Sequence, residues 1–260
     1  MARTITWTVK LDSILLALTA LIAGTLIGTV GVGGILLIPA FIFFAGINTH
    51  EASATALFTF LFTGILGTYL FQKKGSIHWG ATLPVCLGGV IFSYVGAESN
   101  IRIEETLLRG IIGVLVVIAG MLALRAPSSG NLDAGKQFTL NIRNFLLLFF
   151  VGMIAGFGSG LSGAGGPLFS VPLMLAFKFN PLLTIGTSQA FQIIAAGSGS
   201  VANFFNEIIR LDWALFILLF ELIGIYIGVQ LAHRVSLNKL RKIAALLCIV
   251  VGLYMSSFLI

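Results

Sequence analysis

The chain has 260 residues, of which 58% are hydrophobic and only 9% charged, against about 25% charged in a soluble domain. Mean hydropathy is +1.07, and apolar runs near the roughly 20 residues of a bilayer-spanning helix recur from end to end. A soluble domain is excluded, and the net charge of +6 serves to orient loops in a membrane rather than to bind nucleic acid. The runs are continuous, unlike the alternating strands of an outer-membrane barrel. The expected fold class is therefore an all-α polytopic protein whose first partner is the lipid bilayer.

The first apolar run, 11–30, follows Arg3 and Lys10 and superficially resembles a secretory signal. It merges into a glycine block, A-G-T-L-I-G-T-V-G-V-G-G-I-L-L-I-P, from Ala23 to Pro39. Further runs follow at 34–47, 52–71, 79–97 and 106–125. A polar stretch, Ala126 to Arg143, separates them from runs at 144–162, 167–178, 182–205, 212–231 and 240–259. The glycine block returns there as A-G-F-G-S-G-L-S-G-A-G-G-P-L-F-S-V-P, from Ala155 to Pro172.

Gly24, Gly28, Gly31, Gly33 and Gly34 recur as Gly156, Gly160, Gly163, Gly165 and Gly166, each 132 positions later. Asn48 and Asn180, Thr55 and Thr187, and Gly120 and Gly252 keep the same spacing. The chain reads as two transmembrane repeats, 1–125 and 144–260, joined by a polar linker at 126–143. Residues from Ala23 onward have an internal match, so the first run is expected to belong to the mature fold. Paired glycine breaks in two halves point to a transporter binding site.

The second run of each repeat is short. Twelve to fourteen residues cover ~20 Å as helix, less than the ~30 Å hydrocarbon core. Charge chooses between a broken single span and a double crossing or re-entrant hairpin. Only the second puts the basic loops at Lys73-Lys74, Arg125–Arg143 and His233–Lys242 on one side. Five segments per repeat then make the repeats inverted, with eight to ten spans depending on how the short segments count. Both termini fall outside, against the sign of Arg3 and Lys10.

The pattern A-G-x(3)-G-x-x-G-x-G-G…P, then Asn and a Thr segment, then Gly75-Ser76-Ile77-His78-Trp79, resembles the TauE/SafE sulfite and organosulfonate permeases. The second half repeats it, less well at Ile209-Arg210-Leu211-Asp212-Trp213. The resemblance covers essentially the whole chain. It implies a multi-pass protein of the inner cell membrane that moves small sulfur-containing anions such as sulfite, thiosulfate or sulfoacetate.

The candidate site follows from the residues. A helix starting after Gly31, Gly33 and Gly34, or after Gly163, Gly165 and Gly166, would present free N–H groups and a positive dipole end to an anion. The competing reading of the glycines is close helix packing, which suits the upstream Gly24, Gly28, Gly152, Gly156 and Gly160. Thr55, Thr187, Ser188, Gln189 and Gln192 are polar in otherwise apolar helix. They could donate to an oxyanion without a buried charge, or bond neighbouring helices. Glu221 sits inside an apolar segment, where a carboxylate is costly and marks function by default; proton coupling is its expected role. Asn203 reads as structural or interfacial, and His50, Glu51, His78 and His233 as solvated loop residues.

Cys86 and Cys248 lie in apolar segments and read as packing residues. No metal, cofactor or enzymatic motif is indicated. Gly158-x-Gly160-x-x-Gly163 formally matches a dinucleotide fingerprint, but no strand precedes it and no acidic partner follows at the required distance. The function expected is secondary transport of a small anion by alternating access, with an anion or small-solute channel as the alternative. Proton or sodium coupling is expected of a carrier. The sequence leaves homo-oligomerisation open.

Overall fold

The computed structural model describes residues 2–125, 141–177, 179–235 and 237–257. The expected linker lies, up to residue 140, outside the described residues. The described residues form helices and connecting turns, with no strand among them. α1 spans Ala2–Val30 and α2 the short Gly34–Ala45. α3 (Thr49–Lys73), α4 (Trp79–Arg102) and α5 (Glu105–Arg125) follow. α6 is Ile142–Ser162 and α7 the short Gly166–Ala176. α8 (Pro181–Phe205), α9 (Leu211–Ala232) and α10 (Leu237–Ser256) complete the fold. Among the described residues, six helices are long and apolar enough to cross a membrane. The two other long ones, α8 and α10, carry the polar row at 187–192 and the basic start at 239–242.

The helix starts are written in the sequence. Asn48 and Glu51 form a reciprocal capping box on α3, which satisfies two orphan donors at once. Asn141 caps α6, and Asn180, followed by Pro181, caps α8. Two expected loop residues have a structural role instead: Glu51 completes the α3 box, and His78 caps α4 by accepting from the Ala81 N–H. His50 is also tied down, its Nδ1 lying 3.1 Å from Asn100 Oδ1.

Glycines set helix directions, because backbones meet where no Cβ intervenes. Gly24 and Gly28 lie against Glu221 and Ile225, and Gly224 and Gly228 against Leu21 and Thr25. The numbers rise together, so α1 and α9 run parallel. α6 runs parallel to α4 in the same way, Gly152, Gly156 and Gly160 meeting Val85, Gly89 and Ser93. α3 and α8 are antiparallel: Gly199 meets Leu57, and Gly67 meets Gln189. α5 and α10 are antiparallel too, Gly113 meeting Gly252 and Gly120 meeting Ala245. This is the packing role expected for the upstream glycines. Buried Cys248 also packs, lying against Gly120.

α3 runs alongside α9 in the same direction: the Arg210 N–H reaches Thr55, and Gly67 lies by Ile225. α1 and α3 therefore point the same way. The chain between them has to turn back, so each glycine block is a hairpin and not a kink. The first five helices and the last five run in opposite directions, element by element.

Packing ignores the order of the chain. α1, α2, α3 and α9 form one bundle, and α4, α6, α7 and α8 a second. The bundles meet chiefly along the α3–α8 crossing, and the α5–α10 pair lies beside them. Lys74 Nζ donates to Gln230, and Ser76 pairs with His233, which gathers two basic loops at one end. His233 is half-buried there, 5.3 Å from the Phe71 ring, and not a solvated loop residue. The opposite end holds Glu98, Glu105 and Asp212, and Arg210 pairs there with Glu51 at 3.9 Å.

Candidate functional site

Both hairpins turn on a left-handed glycine. Gly31 ends α1 at φ +75, its N–H donating to Ile27 O at 3.0 Å. Gly163 ends α6 at φ +69, its N–H donating to Ser159 O at 2.8 Å. Only glycine adopts this backbone without a steric penalty. The next matched positions diverge: Gly33 has φ −138 and Gly165 φ +88. α2 then begins as a tight turn, Leu36 N–H to Gly33 O at 3.1 Å, and widens at Phe41–Ala45. Pro39, which cannot donate within the helix, sits between the two. α7 begins as regular helix with Pro167 in its first turn. Neither start carries a side-chain cap.

The two turns touch. A Cβ on Gly34 would fall on the Ala164 carbonyl oxygen, and one on Gly31 would meet Pro167 and Val171 of α7. Residues 31–34 and 163–166 are all buried. One ring, Phe60 of α3, lies against both turns, facing Gly34 and Gly165. The structure thus brings Gly31, Gly33, Gly34, Gly163, Gly165 and Gly166 into one buried region.

The α8 row is buried beside it. Gln189 Nε2 donates to Ile27 O at 2.9 Å, binding α8 to the last turn of α1. Its Oε1 is buried without a partner among the described residues. Gln192 Nε2 donates to Phe60 O at 2.9 Å and to Thr63 Oγ1 at 2.8 Å. Ser188 accepts from Ser170 of α7 at 2.8 Å, and the Thr187 hydroxyl is buried without a partner among the described residues. Thr55 stands apart. Its hydroxyl accepts from the Arg210 N–H at 3.0 Å, where it fixes the start of α9 instead of facing the turns.

Glu221 is 0% exposed. It sits on α9 where Gly24 of α1 packs, beside Thr59 of α3. The Thr59 hydroxyl is given to Ala56 O at 2.9 Å. Neither carboxyl oxygen of Glu221 has a hydrogen-bond partner among the described residues.

Sequence reasoning missed Thr59, Thr63, Ser170 and Phe60. The four-residue spacing of Thr55, Thr59 and Thr63 marks one face of α3 and could have found the first two. No sequence signal marks Ser170 or Phe60.

A crossed pair of glycine hairpins in an all-helical membrane protein narrows the comparison with known families. The profile described as sulfite exporter TauE/SafE matches residues 16–255. The chain belongs to the TauE/SafE family. Similar proteins include the probable membrane transporter protein YunE of Bacillus subtilis (strain 168), 24% identical over 92% of this chain and 95% of that protein. The probable membrane transporter protein MJ0441 of Methanocaldococcus jannaschii is 24% identical over 93% of this chain and 94% of its own. The probable membrane transporter protein YfcA of Escherichia coli K12 is 28% identical over 42% of this chain and 40% of its own. No solved structure matches the chain. Within the TauE/SafE family this chain is a multi-pass membrane protein of a transporter class, and its relatives are named as transporters rather than enzymes.

Proposed function

We propose that the protein is a secondary carrier of small sulfur-containing anions, sulfite, thiosulfate or an organosulfonate such as sulfoacetate, working by alternating access. The observation that carries this is the meeting of two uncapped helix starts, at Gly34 and Gly166, inside the bundle. Backbone N–H groups and dipole ends there stabilise an anion without a charged side chain. Irregular backbone at membrane depth is tolerated where it is buried in protein or lines a cavity.

In this reading the oxyanion is held by the N–H groups at 32–34 and at Gly165 and Gly166, because those of Gly31 and Gly163 close α1 and α6 and that of Ala164 donates to Ser162 Oγ. Thr187, Ser188, Gln189 and Gln192 supply side-chain donors. Thr55 has a structural part. The opposed directions of matched helices, and the exchange of partners between α1–α9 and α4–α6, support inverted repeats at 1–125 and 144–260. The α3–α8 crossing is then the seam along which the two bundles rock. The family's printed description supports a sulfur oxyanion as cargo. Burial of every turn residue favours a carrier with an occluded site over an open channel. The basic end faces the cytoplasm under the positive-inside rule.

Glu221 is the coupling residue: a buried carboxyl beside the Thr59 hydroxyl, with no hydrogen bond of its own among the described residues, can gain and lose a proton as the cycle proceeds. Sulfite flux into liposomes, measured against pH for wild type and Glu221→Gln, tests both parts. Saturable flux whose pH dependence disappears in Glu221→Gln is the expected result. Non-saturating flux contradicts the carrier, and an unchanged pH profile in the variant contradicts the coupling role.

A further inference from the structure

The Phe60 ring occupies the place where the two glycine turns converge. It is 0% exposed. A Cβ on Gly34 would lie 2.6 Å from its Cζ, and one on Gly165 would lie 3.0 Å from its Cδ2. A single side chain is therefore in contact with the start of α2 and the start of α7, on opposite hairpins. A Cβ at Gly34 would collide with it and one at Gly165 would crowd it, so the glycines make room for the ring as well as for the turn.

The surroundings distinguish the ring from its backbone. The Phe60 carbonyl is held by Gln192 Nε2, which also reaches Thr63. Gln192 stands 132 residues after Phe60, the repeat spacing. α3 is thus pinned to α8 at this level by a main-chain bond. The ring itself makes only packing contacts, and a buried aromatic has no polar bond to break when it changes rotamer. The ring offers no acceptor to the first N–H groups of α2 and α7, which have no side-chain cap and no intrahelical partner. A bound oxyanion in place of the ring would satisfy them.

We propose that the Phe60 ring is the plug of the anion site, that it leaves when an anion enters between the turns, and that its bulk sets the largest anion admitted. This rests on the reading of the turns as the binding site. Truncating the ring enlarges the space between Gly34 and Gly165 without altering either turn. Sulfite carries only oxygen on its sulfur, whereas sulfoacetate carries a two-carbon arm, and it is the arm that needs the space now filled by the ring.

The test compares uptake of sulfite and of sulfoacetate by proteoliposomes containing wild type, Phe60→Leu, Phe60→Met or Phe60→Tyr. Phe60→Leu and Phe60→Met are expected to raise the sulfoacetate-to-sulfite ratio of kcat/KM by roughly tenfold or more, the scale on which a fitted pocket discriminates a carbon or two. Phe60→Tyr, which keeps the ring, should retain the wild-type ratio. A general packing defect lowers both rates together and leaves the ratio alone. An unchanged ratio in Phe60→Leu and Phe60→Met overturns the proposal. If wild type carries neither anion saturably, it is the transport reading itself that fails. Phe60→Met removes the rigid ring but its flexible thioether fills irregular gaps, so it provides a folded variant if Phe60→Leu does not.

Discussion

The two glycine hairpins begin alike and end differently. Gly31 and Gly163 share a left-handed backbone and close their helices with the same hydrogen bond. Beyond them, α7 is a regular helix of 11 residues, while α2 changes from tight to wide turns around Pro39. The neighbours differ as well. A Cβ at Gly163 would strike the main chain of Ser53, but one at Gly31 would first meet a methyl group of Val171. A duplicated motif has thus kept the turn that makes the hairpin, and has been free to vary in the helix that follows.

That contrast can be broken by substitution. Gly163→Ala combines backbone strain with an overlap that cannot be relieved by a rotamer, so it should cost about 3 kcal/mol or more. Gly31→Ala meets the same strain but a movable neighbour, and about 1–2 kcal/mol is expected. Thermal melting of the two purified variants should rank them in that order. Equal losses would mean that the hairpins are equally tight. Gln192→Leu comes next, since it removes the donor to Phe60 O and Thr63 Oγ1 at the seam between the bundles. A loss of about 1–2 kcal/mol is expected, with flux reduced more than stability. A variant with wild-type flux would show that this bond does not position the site.

The smallest effect lies outside both hairpins. Glu104, at the start of α5, accepts from the N–H groups of Thr106 and Leu107, and these bonds hold its carboxyl below the usual glutamate range. A lowered folded-state pKa contributes stability above the unfolded value of about 4.3. That contribution disappears as pH falls through the lowered value. Wild type should therefore lose slightly more melting temperature on acidification than Glu104→Gln does. Parallel curves would remove the cap from the account.

Much of the architecture was legible in the sequence. The 132-residue spacing of Gly31 and Gly163 exposed both turns, and the basic residues at Lys73-Lys74 and His233–Lys242 required a hairpin before any helix was placed. Asn48 and Asn180 were matched by their spacing alone, and that each caps a helix is seen only in the fold. What the sequence hid is long-range. It carries no periodicity linking α1 to α9 or α4 to α6, because those pairings come from which glycine faces meet across the fold. Thr55 misled because its match to Thr187 is one of position along the chain, whereas its hydroxyl serves the start of α9. Phe60 was hidden because one more phenylalanine among 22 carries no signal until both turns are seen around its ring.

The central claim is that an anion is held by the backbone of the two turns. Hydrogen exchange of the amides at 31–36 and 163–169, with and without sulfite, tests it most directly. Protection that rises at both turns and saturates with sulfite concentration is the expected result. Saturable sulfite flux without any change in exchange at either turn would contradict the account.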